Sequence, residues 1–130
     1  MLKLEKISEQ MAAAGFDAWG VVCAEELSDA KARFVRWLEE GCAYGLDYLA
    51  RNVDKRFDGR LLHPGTRSII VGAVSYKNRF SQGYEPDFDA RIASYATAED
   101  YHTTLRGMLR EVAVGLGFED PKSVKICVDS

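Results

Sequence analysis

The stretch from Ser68 to Tyr76, SIIVGAVSY, constrains this chain most. A run so rich in β-branched apolar side chains, entered from the Pro64-Gly65 turn, reads as a buried strand. A buried strand needs apolar cover, and the patterns around it supply helices and a second strand to provide it. Leu4, Ile7, Met11 and Ala14 recur at three-to-four spacing and stop at Gly15, which predicts an amphipathic helix over the first fifteen residues. Asp17 to Cys23, DAWGVVC, is short and apolar and predicts a strand. Ser28 is the predicted N-cap of a second helix that turns Ala30, Phe34, Trp37 and Leu38 inward and ends at Gly41. Residues 45–52, GLDYLARN, add one or two turns.

The segment from Asp54 to Arg67 is rich in charge and reads as a basic loop beside a strand end. Lys77 to Ala90 lacks periodicity, holds Gly83 and Pro86, and is long enough to be a functional loop in which Tyr84 and Phe88 cover something. Thr97 is the predicted start of a third helix, with Asp100 three residues on in a variant capping box. Its inner stripe is Tyr101, Leu105, Met108, Leu109, Val112 and Leu116, closed by Gly115 and Gly117. Residues 123–128, SVKICV, predict a last strand that sets Asp129 at its carboxyl end, where open α/β sheets place ligands. The fold class is therefore α/β, an α+β sandwich with roughly three helices around a small sheet, in one domain of 130 residues.

Composition removes several function classes. With 47% hydrophobic and 28% charged residues the chain is no disordered tail. No apolar run approaches the roughly 18 residues of a membrane span, and Glu5 and Glu9 sit where a secretion signal needs apolar side chains, so a cytoplasmic protein is expected; a monomer is the separate expectation for its assembly. Cys23, Cys42 and Cys127 lack disulfide or metal spacing and are expected to be buried structural thiols, with no metal site of their own. A net charge of −3 argues against a chain that grips nucleic acid by itself.

Three sets of residues can carry chemistry. Lys55, Arg56, Arg60 and Arg67 can hold phosphate or carboxamide oxygens in forked hydrogen bonds, or be a solvated loop. His102 can donate to a substrate or shuttle a proton, or be a half-buried histidine bonded to backbone. Asp129 is a ligand-site carboxylate or a strand-end turn residue. The Asp-x-His-x-x-Gly pattern that presents histidine to cobalt fails here, because Leu105 occupies the glycine position.

Lys55-Arg56 followed by Leu61-Leu62-x-Pro-Gly, then Asp100-Tyr101-His102 after the Arg91-Ile92-Ala93 run, then Val128-Asp129-Ser130, in this order, resemble the amino-terminal part of epoxyqueuosine reductase. The resemblance covers almost the whole chain. It implies a nitroreductase-like, cobalamin-binding domain of a longer enzyme whose ferredoxin-like domain, with two 4Fe-4S clusters, and C-terminal helical-repeat domain lie outside residues 1–130. The implied reaction is reduction of the epoxide in epoxyqueuosine at a tRNA wobble position, with clusters feeding electrons to cobalt and an acid protonating the oxygen.

The resemblance carries the proton donor onto Asp129, a cobalamin contact onto Arg56 and a backbone contact to the cofactor onto Ala93. Tyr95, Tyr101 and His102 are implied to line the same pocket. Holding its proton at neutral pH would require Asp129 to be desolvated by the corrin and the apolar strand before it. The acidic total implies that tRNA docking falls to the other domains. Two further readings stay open: a cobalamin-binding or trafficking module without chemistry, and a flavin-binding nitroreductase relative.

Overall fold

The structure is a computed structural model that describes residues 3–77 and 92–128. The expected loop from Lys77 to Ala90, with Tyr84 and Phe88, lies outside them apart from Lys77, as do Asp129 and Ser130. The chain is mixed α and β. Its elements are α1 (Leu4–Ala13), β1 (Ala18–Cys23), α2 (Ser28–Glu39), α3 (Val53–Phe57), α4 (Gly59–Leu62), β2 (Ser68–Ala73) and α5 (Tyr101–Gly115), with 3-10 turns at Asp47–Ala50 and Ser94–Thr97. The strands β1 and β2 pair in a two-stranded antiparallel ribbon, with Asp17 N–H donating to Ala73 O at one end and Ala24 N–H to Arg67 O at the other, each at 3.0 Å.

Contacts divide the chain into two compact units, one of Met1–Gly20 with Gly72–Ser130 and one of Val21–Val71. The first holds the apolar core: Ile7 and Met11 of α1, Phe16, Val112 and Ala113 of α5, Leu116 and Val128. Helix α1 ends as its glycine foretold. Gly15 takes a φ of +88°, its N–H donates to Ala12 O and the next N–H, of Phe16, reaches back to Met11 O, both at 3.0 Å. This closes the orphan carbonyls and turns Phe16 onto the fully buried Met11. Gly41 and Gly117 end α2 and α5 with the same pair of bonds.

The second unit has a smaller apolar centre. Phe34 stacks on Trp37 at 5.8 Å and meets Phe57 at 5.4 Å, so α2 packs on α3 through aromatic rings. Asp58 is its one described buried residue. Lys31 of α2 spans Glu26 at 2.6 Å and Asp54 of α3 at 2.8 Å, which ties the entry of α2 to α3.

Several expectations are corrected. The charged segment expected as a loop is largely α3 and α4, because Asp58 caps α4 through Arg60 N–H at 3.0 Å and also grips the Arg60 guanidinium. Ser28 is the first residue of α2 rather than its cap, and its hydroxyl bonds Glu26 instead. Thr97 closes a 3-10 turn through Ser94 O, and Asp100 is the N-cap of α5. Residues 123–128 form no strand, and β2 stops at Ala73. Leu4 and Trp37 stay substantially exposed. All three cysteines are exposed, Cys23 at the end of β1 and Cys42 and Cys127 outside any helix or strand.

Candidate functional site

The residues leading into α5 gather a row of rings. Ala93 runs extended into the 3-10 turn, which Ala96 N–H closes onto Ala93 O at 2.9 Å. The turn lifts Tyr95, about half exposed, into an edge-on position between Tyr76 and Tyr101, with both centroid separations 6.4 Å. Tyr101 then stacks on His102 at 4.1 Å and 27°. Edge-on aromatic pairs at such distances contribute about 0.5–1.5 kcal/mol each beyond burial, enough to hold exposed rings in register.

Asp100 anchors the end of this row. Its Oδ1 accepts the backbone N–H of His102 and meets the His102 ring Nδ1, both at 2.9 Å. The His102 N–H first, and its ring second, hold the Asp100 carboxyl below the usual aspartate range. An ionised carboxylate only accepts, so Nδ1 carries the proton and Nε2 carries the lone pair whenever the imidazole is neutral. The arrangement therefore orients a histidine at a helix start, as a proton relay or a donor to a bound molecule requires.

Ala93 contributes backbone. It is exposed, and among the described residues no acceptor takes its N–H. A small residue with an open N–H admits a flat molecule to van der Waals distance of the chain. Around the outer face of α5 a shallow depression is lined by His102, Thr103, Arg106, Gly107 and Arg110.

The basic residues lie in the other unit and have different fates. Arg56, on the last turn of α3, is exposed and makes one long bond, Nη2 to Tyr48 O at 3.4 Å, which leaves most of its donors to solvent. Lys55 beside it is exposed. Arg60 is committed to Asp58 through Nε at 2.8 Å and Nη2 at 2.7 Å, so it holds no outside anion. Arg67 stands just before β2.

The structure thus brings Tyr95, Tyr101 and His102 together beside Ala93, keeps Arg56 available and commits Arg60. Asp129 lies outside the described residues. The sequence reading missed the Asp100–His102 pair, although an aspartate two residues before a histidine at a helix start signals it. It also missed Tyr76, which no local pattern connects to Tyr95.

The family model described as "Epoxyqueuosine reductase QueG, DUF1730" matches residues 56–130. The chain is 33% identical over 101 residues to the epoxyqueuosine reductase of Aliivibrio fischeri, covering 75% of this chain and 27% of that protein. It is 33% identical over 117 residues to that of Gloeobacter violaceus, covering 89% and 35%. For that of Pseudomonas aeruginosa the identity is 32% over 120 residues, covering 89% and 33%. The chain spans about a third of the length of these curated relatives. No solved structure matches it.

Proposed function

This chain belongs to the epoxyqueuosine reductase QueG, DUF1730 family, and from that premise we propose that it is the amino-terminal, cobalamin-binding part of a cytoplasmic enzyme that reduces epoxyqueuosine to queuosine in tRNA. The observation that carries this reading is the extent of the family match, since residues 56–130 take in Arg56, Ala93, Tyr95, Tyr101, His102 and Asp129 together. No helix among the described residues is long and apolar enough to cross a membrane, which is compatible with the cytoplasmic assignment.

The residues present fit cobalamin. A corrin is a flat macrocycle rimmed by amide groups, and it takes close backbone along its plane and polar donors at its edge. Within the first unit the open N–H and methyl of Ala93 suit the first requirement, while Arg56, exposed in the second unit, is assigned to the cofactor's edge by the family resemblance alone. When bound, cobalamin supplies a redox-active metal centre able to break the carbon–oxygen bonds of an epoxide. Tyr95 and Tyr101 wall the site with apolar ring faces, and His102 is held in one orientation by Asp100.

Asp129 gives its proton to the departing epoxide oxygen. The overall change takes up electrons and protons and releases that oxygen as water. The proton-donor role of Asp129 is carried by the family resemblance and requires a desolvated carboxyl, because burial favours the protonated form. Iron-sulfur clusters do not fit the described residues. Their three thiols are separately exposed, and no group of His, Cys, Asp or Glu gathers as a ligand set. Electron supply is assigned to iron-sulfur clusters of the longer enzyme, as the family resemblance implies.

The test is a titration with cob(II)alamin followed by absorbance and paramagnetic resonance. Arg56→Ala should weaken binding by about 1.5–3 kcal/mol, the loss of one charged hydrogen bond. In the longer enzyme this reading requires, Asp129→Asn should slow single-turnover reduction by about 10²- to 10⁴-fold with cobalamin occupancy unchanged. Full occupancy with undiminished turnover would remove Asp129 from the chemistry. A yellow flavin-loaded protein indifferent to cob(II)alamin would instead establish the flavin-binding reading.

A further inference from the structure

The outer face of α5 carries a charge pattern opposite to that of the chain. His102, Arg106 and Arg110 follow one another at intervals of four residues, so they stand in line about 6 Å apart along the helix axis. They line a single depression with Thr103 and Gly107, and no carboxylate lines it. Arg106 and Arg110 are exposed and have no ion-pair partner among the described residues. Gly107 widens the space between them, since a side chain built there would meet nothing within 4 Å. The opposite face of the same helix is spent on the core through Val112 and Ala113. Among the described residues nothing pairs with Arg106 or Arg110, and with Thr103 they offer a partner forked cationic donors and a hydroxyl.

We propose that this face of α5 docks the phosphodiester backbone of an RNA strand, with Arg106 and Arg110 each on a phosphate and Thr103 donating beside them. The inference rests on the proposed function for its partner. It adds a surface which that reading places elsewhere, because a net charge of −3 describes the whole chain and not its local potential. The face begins at His102, the last ring of the aromatic row. A nucleotide entering beside that row leaves its flanking phosphates next to the following turns of α5. Regularly spaced arginines suit repeated phosphates, and they position a strand without reading its sequence. A free phosphate or nucleotide offers the same chemistry, so the test separates the two sources.

The experiment measures anisotropy of a fluorescent RNA stem-loop titrated with the whole chain over a series of salt concentrations. Affinity should fall with salt at a log–log slope of about −1.4, the release expected for two phosphates of a single strand. Arg106→Ala with Arg110→Ala should bring that slope close to zero and weaken binding at least tenfold at low salt. Arg106→Lys with Arg110→Lys should restore the slope, and Lys122→Ala, an exposed cation elsewhere in the same unit, should leave it unchanged. Circular dichroism of the double alanine variant should match the parent, because neither side chain is buried.

Absence of RNA binding by the parent, or an unchanged slope in the double alanine variant, overturns the proposal. So does equal competition by inorganic phosphate at matched phosphate concentration, which would make the face a free-anion site. Cob(II)alamin titration of the same samples keeps the two readings apart. Intact cobalamin binding with no effect on RNA refutes only the α5 face, and lost cobalamin binding with an intact RNA slope refutes only the cofactor assignment.

Discussion

Replacing Gly72 by alanine tests its packing against Phe16 and Met11 in the core of the first unit. A Cβ placed on Gly72 would lie 2.6 Å from two ring carbons of Phe16 and 2.8 Å from the terminal methyl of Met11. Carbon atoms prefer roughly 3.5–4.0 Å, so the overlap is close to an ångström on the side of a rigid ring. Met11 can rotate, but it is fully buried, and protein interiors offer few voids for a displaced methyl. Overpacking of this kind costs about 1–3 kcal/mol. Against that, alanine in a strand gains about 0.5–1 kcal/mol over glycine, which leaves a net loss of about 1.2 kcal/mol at the middle of both ranges and no more than about 2.5 kcal/mol.

For a urea dependence of about 2 kcal/mol per molar, the unfolding midpoint should fall by about 0.6 M, and by no more than about 1.2 M, with the slope unchanged. Phe16→Leu in the same background should recover part of the loss, giving a coupling between the two positions on the order of 0.5–3 kcal/mol. A midpoint at or above that of the parent, or strict additivity of the two substitutions, would refute the close approach of Phe16 and Met11 to Gly72.

Met11→Ala should destabilise the protein by about 2–5 kcal/mol, measured by the same denaturation, because it opens a cavity at the centre of the α1–α5 contact. Asp100→Asn keeps a capping oxygen but removes the charge that the His102 N–H and ring stabilise. Since the Asp100 carboxyl is held below its usual range, the parent's stability advantage should be present at neutral pH and vanish as pH falls through that lowered value, read by thermal melts into strong acid. Lys31 is held protonated well above its ordinary value by Asp54 and then Glu26, so its contribution should persist through neutral pH and be lost only in strong alkali. Lys31→Gln should abolish that alkaline transition and speed amide exchange in α3. Cys23, Cys42 and Cys127 should all react with a thiol reagent in the native protein, at rates close to those in denaturant, and a protected thiol would contradict their exposure.

What the sequence determined by itself is local. Gly15, Gly41 and Gly117 stop their helices because only a residue without Cβ takes the left-handed turn that closes the last carbonyls at no steric cost. The apolar runs at 18–23 and 68–73 become strands, and the stripe of α5 buries Val112 and Leu116, since period and branching are written in the order of residues. The family likeness was legible too, through short motifs in fixed order. What only the tertiary structure decided is pairing at a distance. Asp58 starts α4 by accepting the Arg60 N–H and also binds the Arg60 guanidinium, which occupies part of one expected anion-binding group. Tyr76 reaches Tyr95 across a long span of chain, and the cysteines are exposed because strand and loop faces are chosen by packing partners rather than by polarity. A row of rings, a buried carboxylate and an exposed thiol each depend on which remote atoms exclude water from them, and residue order alone does not carry that information.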